Sequence, residues 1–540
     1  MRLRKEPGVD NDGVRLPEGC DSVVDVLFDG RRIWSVAADA VGSGLTASRT
    51  ISWPPALRPH LDGRAEVQIR DHASGAVLLT QDVSFGEGTD RVLVVDKQGR
   101  PLALTKWGKL NHPFDSTDRS AIEGYLDQVE EVLAALRDEC GVPSFLSYGS
   151  LLGAVREGGL IGHDVDVDLG YLSAHSHPAD VLLESHVIER TLRAHGWRVR
   201  RENGGFLALF LPQRDGTTRN LDVFTCFQVD DHMYQVHDTR IKADQSVVVP
   251  VAPVAFEGRQ LPGPAQPDVM LEAAYGEGWR VPDPAFEFHT PRGTRRRIGG
   301  WLGGIRDERD RWDDFYRSRR VEIPTGPSAF ALWASERWAS EHWASGARPP
   351  GQVIDLGCGN GRDSVFFAGQ GHEVVGADYS VAGLRQARAH AKEEQTSARF
   401  VELNLNSLRD TLARSALLAH RPGPRLVYAR FLLHDLHDHA RPQFWQAARM
   451  LLAGGGQLFV EFRTEADRRT RKTFGRHFRR YLHPDLVIAE AEAQGARVVE
   501  RLEGRGLAVL GDEDPRVCRL VLEWAPRQHD LVNRVPERHS

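Results

Sequence analysis

The stretch from Gln352 to Asp363 constrains the fold more than any other part of the chain. Its apolar start predicts a short strand, which runs into three glycines spaced Gly-x-Gly-x-Gly. A helix is predicted over Ser364–Gln370, and a second strand over His372–Ala377 ends at Asp378. Glycines between a strand and a helix let the main chain approach a ligand closely, and an acid at the end of the next strand can bind ribose hydroxyls. The pattern predicts a nucleotide-type cofactor site in a doubly wound α/β domain.

The glycine spacing separates two candidate cofactors. NAD-binding turns carry Gly-x-Gly-x-x-Gly, whereas this turn is one residue shorter and is preceded by Asp355. The segment resembles motif I of class I methyltransferases that use S-adenosylmethionine (SAM), and the resemblance covers roughly Trp312 to Trp524. It implies a Rossmann-like domain whose cofactor-binding residues are Asp355, Gly357, Cys358, Gly359, Asn360, Gly361, Asp378, Asn404 and Arg430.

Other parts of the C-terminal region fit the same resemblance. Further strands are predicted over Ala398–Leu403, Arg425–Tyr428 and Gly456–Glu461. Upstream, Phe315-Tyr316 and Pro327–Phe330 look like the N-terminal lid segment of a subset of these enzymes.

The methyl acceptor is indicated less clearly than the cofactor. His434 follows the fourth predicted strand and is either a general base or a structural residue. The run Arg468–Arg480 contains seven Lys or Arg residues, so it is either a solvated basic helix or a cradle for an anionic group such as phosphate. The catalytic candidates of this region are His434 and His477, and its substrate-binding candidates are Arg463, Arg479, Arg480 and Tyr481.

The middle of the chain concentrates carboxylates. An amphipathic helix over Ile122–Leu136 is followed by a strand, Ser144–Tyr148, and by the small residues Gly149 and Ser150. The run His163–Leu169 alternates apolar and acidic residues, which predicts a strand with Asp164, Asp166 and Asp168 on one face.

A later strand, Asn220–Phe224, adds Asp222 to these acids. Carboxylates that share a site repel one another, and hard oxygen ligands suit Mg²⁺ bridged to substrate phosphates. The sequence therefore predicts a magnesium site, and the alternative is a solvated acidic strand edge.

This pattern looks like the nucleotidyltransferase fold, and the run Tyr148–Asp168 resembles the LicD family, relatives of fukutin. The resemblance covers roughly Ser120 to Pro284. It implies transfer of a phospho-alcohol from a CDP-linked donor to a sugar. The metal, Mg²⁺ or Mn²⁺, would be held by Asp166, Asp168 and Asp222, and Asp222 would also act as the base. The substrate would be held by Gly149, Ser150 and Arg156. The chain departs from the family where Gly162-His163 replace Pro-Trp and Val165 replaces an Asp, which leaves the donor open.

The first hundred residues predict short strands joined by tight turns. The segments Ser22–Phe28 and Arg31–Val36 flank Asp29-Gly30, a strong hairpin signal, and similar pairs flank His72–Gly75 and Asp96–Gly99. We expect a small β-sandwich with an accessory role. The alternative is a sugar-binding module that uses Trp34 or Trp53 as a stacking platform, although a lone Trp more often belongs to the core.

Composition and net charge limit the partners and the cellular compartment that we expect for this protein. Lys plus Arg is 69 and Asp plus Glu is 75, so the net charge of −6 argues against a protein built around nucleic acid. The chain has five separated cysteines without a CxxC pair, which fits a reducing compartment. It has no apolar run long enough to span a bilayer. We therefore predict a cytoplasmic protein without a transmembrane segment, for which peripheral membrane association stays open.

These observations predict a multidomain enzyme. The predicted parts are a β-sandwich over 1–105, an α+β nucleotidyltransferase-like domain over 115–295, a linker and lid helix over 296–350, and an α/β Rossmann-like methyltransferase over 351–530. In that linker, Trp333, Trp338 and Trp343 head a repeated pentad.

We expect a bifunctional enzyme of cell-surface glycan modification. One domain would transfer a phospho-alcohol from a nucleotide-linked donor to a glycan or lipid-linked glycan, and the other would methylate the product or a phosphorylated glycan. Two alternatives remain. The middle domain could transfer nucleotide to a small molecule, or it could be an inactive domain that only docks glycan for the methyltransferase.

Overall fold

The structure is a computed structural model in which the chain forms two compact units, Met1–Gly303 and Gly304–Ser540. The unit boundary falls inside the predicted linker. The residues that the structure describes are 6–17, 20, 23–37, 50–106, 108–236, 239–283, 286, 288–318, 323–342, 351–421, 423–470, 472–475 and 477–525. Among them, no helix combines the length and the apolar character needed to cross a membrane.

The first unit begins with two antiparallel sheets, ordered β4-β3-β6-β7 and β1-β2-β5. The predicted hairpin at Asp29-Gly30 is confirmed, because both residues have positive φ angles (48° and 78°), as the tight turn between β3 and β4 requires. The strands are β1 (Gly8–Val9), β2 (Gly13–Arg15), β3 (Val23–Phe28), β4 (Arg31–Ala37), β5 (Thr50–Ser52), β6 (Gly63–Asp71) and β7 (Val77–Phe85).

Both candidate stacking tryptophans belong to the core of this region. Trp53 is 1% exposed, its ring lies 5.8 Å from that of Phe28, and its indole N–H donates to the Asp10 carbonyl at 2.8 Å. Trp34 packs 6.1 Å from Trp53. Neither ring is available as an open platform for a sugar.

The third predicted hairpin is reduced to a single bridge between Val95 and Pro101. The chain pairs instead through a short ribbon of β8 (Ala103–Leu104) and β9 (Leu110–Asn111). This ribbon leads into the part of the unit that carries the carboxylates.

The second part of the first unit is a mixed sheet ordered β10-β11-β14-β13-β12, in which β11 and β14 are parallel. The predicted amphipathic helix is confirmed as α1, and Asp118 caps it by accepting from the Ser120 N–H. The elements are α1 (Arg119–Ala134), β10 (Ser144–Leu146), α2 (Tyr148–Glu157), β11 (Val167–Leu172), α3 (Pro178–Ala194), β12 (Arg198–Asn203), β13 (Phe206–Pro212), β14 (Thr218–Val229), β15 (His232–Gln235), β16 (Thr239–Ile241), β17 (Ala252–Phe256), β18 (Arg259–Gly263), α4 (Pro267–Tyr275) and α5 (Arg292–Leu302).

Two local predictions need correction here. The strand predicted over Ser144–Tyr148 ends at Leu146, and Tyr148 begins helix α2. The strand predicted over His163–Leu169 begins only at Val167, because a turn closed by the Asp164 N–H and the Ile161 carbonyl (2.9 Å) comes first. Asp164 and Asp166 therefore precede the strand.

The second unit contains a seven-stranded sheet ordered β21-β20-β19-β22-β23-β25-β24. All neighbours are parallel except β25, which is antiparallel to both of its partners. This is the predicted doubly wound α/β architecture. The elements are α6 (Arg309–Arg317), α7 (Ala329–His342), β19 (Gln352–Leu356), α8 (Arg362–Gly369), β20 (Glu373–Asp378), α9 (Val381–Glu393), β21 (Arg399–Glu402), α10 (Leu408–Ala419), β22 (Arg425–Arg430), α11 (Arg441–Leu451), β23 (Gly456–Arg463), α12 (Pro484–Ala493), β24 (Ala496–Gly504) and β25 (Val517–Trp524).

Two other segments of this unit were singled out by the sequence. Trp333 and Trp338 of the pentad repeat lie on α7, where Trp338 is buried, whereas Trp343 lies outside the described residues. The described part of the basic run 468–480 is irregular, so the alternative of a solvated basic helix is wrong.

Candidate active sites

The carboxylates of the first unit converge where β11 and β14 lie side by side. Asp168 and Asp222 are paired across these two parallel strands. Asp164 closes the turn that precedes β11, and Asp166 lies between that turn and the strand. All four residues keep partial access to solvent, as a site that receives a substrate requires.

The start of helix α2 holds Asp168 in place. The Gly149 N–H donates to the Asp168 carboxylate at 2.9 Å, and the Asp168 N–H donates to the Ser150 hydroxyl at 2.8 Å. A Cβ atom at Gly149 would lie 2.7 Å from an Asp164 oxygen and 3.2 Å from an Asp168 oxygen. Only glycine lets the helix approach both acids, so the predicted substrate residues Gly149 and Ser150 position carboxylates.

Burial and mutual repulsion make these carboxylates reluctant to ionise. Burial raises the pKa of Asp168 to about 7, and the charge of Asp164 adds to the effect. Burial also raises the pKa values of Asp166 and Asp222 well above the ordinary range, with further repulsion from the neighbouring acids. The Oδ1 atom of Asp222 is buried and has no hydrogen-bond partner among the described residues.

Two residues at this site escaped the sequence analysis. The Lys106 ammonium lies near the cluster, where its charge opposes the rise in the pKa values of Asp164, Asp166 and Asp168. Tyr275, at the end of α4, is also close to the acids, because burial and the charges of Asp168 and Asp164 raise its pKa. No local pattern in the sequence marks either residue.

Arg156 lies near Tyr275, and its positive charge opposes the rise in the pKa of that hydroxyl. One of its terminal nitrogens pairs with Glu157 at 2.7 Å, while its Nε is buried without a hydrogen-bond partner among the described residues. Its assignment to a donor phosphate stays a prediction.

The donor set of the cluster suits a hard divalent cation. It consists of carboxylate oxygens alone, one of them the unpartnered Asp222 Oδ1, and burial and the repulsion between these acids raise their pKa values. Within the described part of the chain, however, no three His, Cys, Asp or Glu side chains already surround one point as metal ligands do. The magnesium site therefore stays a proposal.

We expect the carboxylate cluster to make stability fall as pH rises. A folded-state pKa near 7 for Asp168 means that its contribution is complete below about pH 4 and is lost as pH passes through about 7. In the metal-free protein, Asp168→Asn should therefore raise the melting temperature at pH 8 by about 3 °C or more and flatten the pH dependence, as measured by calorimetry. Mg²⁺ should stabilise the unmodified protein and not the variant.

Glu131→Gln is the control, because Glu131 is an exposed acid on α1 outside the cluster. A melting temperature of Asp168→Asn that follows the control at every pH would contradict the assigned electrostatics.

In the second unit, the glycine turn after β19 surrounds one side of a cavity of about 220 Å³. Gly357, Gly359 and Gly361 have φ angles of 75°, 54° and 77°, which L side chains rarely adopt. The Gly359 N–H donates to the Asp378 carboxylate at 2.9 Å. A Cβ atom at Gly359 would lie 2.2 Å from the Tyr316 hydroxyl, so the predicted lid helix α6 rests directly on the turn.

The acids of this site are buried and held by hydrogen bonds. Asp355 is 2% exposed and accepts from the Ser364 hydroxyl, and burial raises its pKa to about 8. Asp378 accepts N–H groups from Gly359 and Ser380, which partly offset the rise in its pKa that burial causes. Both acids line the cavity.

Three of the other predicted cofactor residues line the cavity, and one does not. Cys358, Asn360 and Arg430 line it. Asn404 does not, because its amide donates to the Ile305 carbonyl at 2.7 Å while Asn406 faces the cavity.

The end of β22 carries a strained aromatic residue that the sequence analysis missed. Phe431 has a φ angle of 56°, a conformation that is costly for a bulky side chain and is most often kept at functional sites. Its ring lies 4.4 Å from the Arg430 guanidinium and 5.1 Å from that of Arg463. Arg430 is anchored from the other side by Glu461 at 3.2 Å.

The two predicted catalytic histidines have opposite tautomers. Nδ1 of His434 accepts from the Arg463 N–H at 3.2 Å, so its proton is on Nε2. Nδ1 of His477 donates to the Phe478 carbonyl at 2.7 Å, which leaves Nε2 with a free lone pair. Burial and nearby arginines keep both rings neutral, lowering the pKa of His477 to about 3.

Acids pair with two of the predicted substrate arginines, Arg463 and Arg480. Arg463 pairs with Asp467 and Glu513, each at 2.7 Å. Arg480 pairs with Asp438 and, like Tyr481, does not line the cavity. Among the predicted substrate residues of this unit, only Arg463 and Arg479 reach the cavity wall.

Two further residues that line the cavity are an acid and an arginine. Asp435 and Arg311 both line the cavity, and one polar atom of each is buried without a hydrogen-bond partner among the described residues. Burial raises the pKa of Asp435 to about 8, despite the opposing charges of Arg479 and Arg311.

We expect Asp378 to be required for SAM binding. The carboxylate lies in the cavity and is oriented by the Gly359 N–H, so it can accept hydrogen bonds from ribose hydroxyls. Asp378→Asn should weaken the affinity for SAM about tenfold or more in isothermal titration calorimetry. Glu394→Gln, an exposed acid of the same unit, should leave the affinity unchanged. Equal affinities for both variants would remove Asp378 from the cofactor site.

Comparison with known proteins identifies one domain in each unit. Residues 141–266 match the family model described as LicD/FKTN/FKRP, nucleotidyltransferase domain, and residues 353–456 match the model of a methyltransferase domain. The ubiquinone biosynthesis O-methyltransferase of Hahella chejuensis is 34% identical over 90 residues, 15% of this chain and 38% of the relative. That of Alkalilimnicola ehrlichii is 31% identical over 80 residues, 14% of this chain and 32% of the relative.

The chain thus spans about a third of the length of these curated relatives. Among solved structures, a SAM-dependent methyltransferase from Anabaena variabilis is 18% identical, and the match covers 40% of this chain and 94% of that protein with a TM-score of 0.32. The two family matches confirm the resemblances found in the sequence: the chain carries a LicD-type nucleotidyltransferase domain and a methyltransferase domain.

Proposed function

We propose that the protein is a bifunctional enzyme of cell-surface glycan modification. Its first unit would transfer a phospho-alcohol group from a CDP-type donor to a sugar hydroxyl, and its second would methylate the product from SAM. The observation that carries the first activity is the convergence of four carboxylates against the start of helix α2. Two activities in one chain raise the effective concentration of a shared substrate.

The transfer reaction needs positioning and charge neutralisation more than covalent chemistry. The acceptor oxygen would attack the phosphorus that bears the alcohol, the bond from that phosphorus to the CMP oxygen would break, and CMP would leave. Asp222 would take the proton of the hydroxyl through a carboxylate oxygen that does not bind the cation. Asp166, Asp168 and Asp222 would hold a divalent cation, which when bound neutralises donor phosphate charge.

The methyl acceptor that the second site supports best is a hydroxyl group. An oxygen attacking the SAM methyl group displaces S-adenosylhomocysteine, and a hydroxyl must lose its proton in the process. Neutral His477 offers a lone pair at Nε2 for that proton, whereas Nε2 of His434 already carries one. The phosphate oxygen considered from the sequence would need no base, so the two acceptors can be distinguished.

The transferase is tested with the full chain, Mg²⁺, a polysaccharide acceptor and a panel of CDP-alcohols. We expect release of CMP and a matching mass increase of the polysaccharide, both lowered about a hundredfold or more by Asp166→Asn. Glu131→Gln should retain full activity. Release of pyrophosphate from a nucleoside triphosphate, without CMP from any CDP-alcohol, would favour the alternative of nucleotidyl transfer to a small molecule.

The base is tested by replacing His477. His477→Gln should lower the kcat of methyl transfer to a hydroxyl about a hundredfold or more while leaving the affinity for SAM unchanged. Because the His477 pKa lies at about 3, the unmodified enzyme should keep this base active down to mildly acid pH. An unchanged kcat in His477→Gln, with SAM still bound, would support a phosphate acceptor and contradict the hydroxyl.

A further inference from the structure

A second cavity in the first unit has a charge opposite to that of the carboxylate cluster. Its volume is about 310 Å³, and its wall contains an arginine, a lysine, two histidines and three threonines but no Asp or Glu. The lining side chains used below are His232, Thr239, Arg240, Lys242, Phe288 and Thr294. None of the motifs found in the sequence accounts for this arrangement.

Asp231 offsets part of the positive charge of the wall, because its hydrogen bond with His232 and the nearby charge of Lys242 lower its pKa. Arg240 donates to Nε2 of His232 at 2.7 Å, and Nδ1 of that ring donates to Asp231 at 2.6 Å. Neither Arg240 nor Lys242 lies within 4 Å of a described carboxylate, and both residues are exposed. Cationic side chains in a concave site with hydroxyl groups suit a phosphate group.

The cavity lies beside the carboxylate cluster. Phe288 forms part of its wall, and the Phe288 ring is 5.8 Å from that of Tyr148, the first residue of helix α2. The Tyr148 hydroxyl lies 3.3 Å from that of Thr239, another wall residue. The Lys106 ammonium that faces the acids also lies 5.3 Å from the Phe288 ring. One aromatic layer therefore separates the basic cavity from the acids.

We propose that this cavity binds a phosphate group carried by the acceptor glycan of the transferase, an assignment that rests on the proposed function of the first unit. A donor phosphate would belong with the carboxylates and their cation. A second phosphate, bound in the basic cavity one aromatic ring away, would then come from the acceptor glycan. The preferred acceptor would be a glycan that already bears phosphate.

The proposal is tested by binding, so that it does not depend on turnover. With the full chain, isothermal titration calorimetry should show binding of glucose 6-phosphate and none of glucose. Arg240→Gln and Lys242→Gln should each weaken this binding about tenfold, because each removes a charge-assisted hydrogen bond. Arg190→Gln, an exposed arginine on α3, is the matched control and should change nothing.

Two results would overturn the proposal. One is an unchanged affinity for glucose 6-phosphate in both cavity variants. The other is loss, in these variants, only of binding to phosphatidylglycerol vesicles, which would assign the cavity to a lipid headgroup. If glucose 6-phosphate binds at Arg240 and Lys242 but no CDP-alcohol yields CMP, the phosphate site stands and the proposed transferase function fails.

Discussion

Each unit depends on one hydrogen bond between a glycine N–H and an aspartate on the neighbouring strand. Gly149 donates to Asp168 and Gly359 donates to Asp378, each at 2.9 Å and each across 19 residues. A side chain at either glycine would collide, with carboxylates in the first case and with the hydroxyl of a lid tyrosine in the second. The bond thereby fixes the acid around which the other polar groups of each unit gather.

The parts of this arrangement that sequence predicts are local. The hairpin at Asp29-Gly30 and the glycine turn after β19 each follow from residue spacing within a few positions. The prediction was wrong where one pattern can have two causes. Alternating apolar and acidic residues imitate a strand at Asp164 and Asp166, although a main-chain hydrogen bond closes a turn there.

Contacts between distant residues could not be predicted in the same way. The basic run near Arg463 has the composition of an anion cradle, yet Asp467 and Glu513 take up that guanidinium. Nothing near Lys106 in the sequence indicates that its ammonium offsets the acids some sixty residues later. Such pairings depend on how the elements pack, and the number of charges in a segment does not indicate which of them meet in the fold.

The position of Lys106 bears on how the transferase domain can be moved between proteins. The family match covers residues 141–266, whereas Lys106 precedes it and Tyr275 and Phe288 follow it. A segment cut at the limits of the match would keep all four acids, but it would lose the ammonium that offsets their repulsion and the aromatic rings beside them. The functional unit of this domain is therefore longer than the segment by which it is recognised, and grafting it onto another chain requires both flanks.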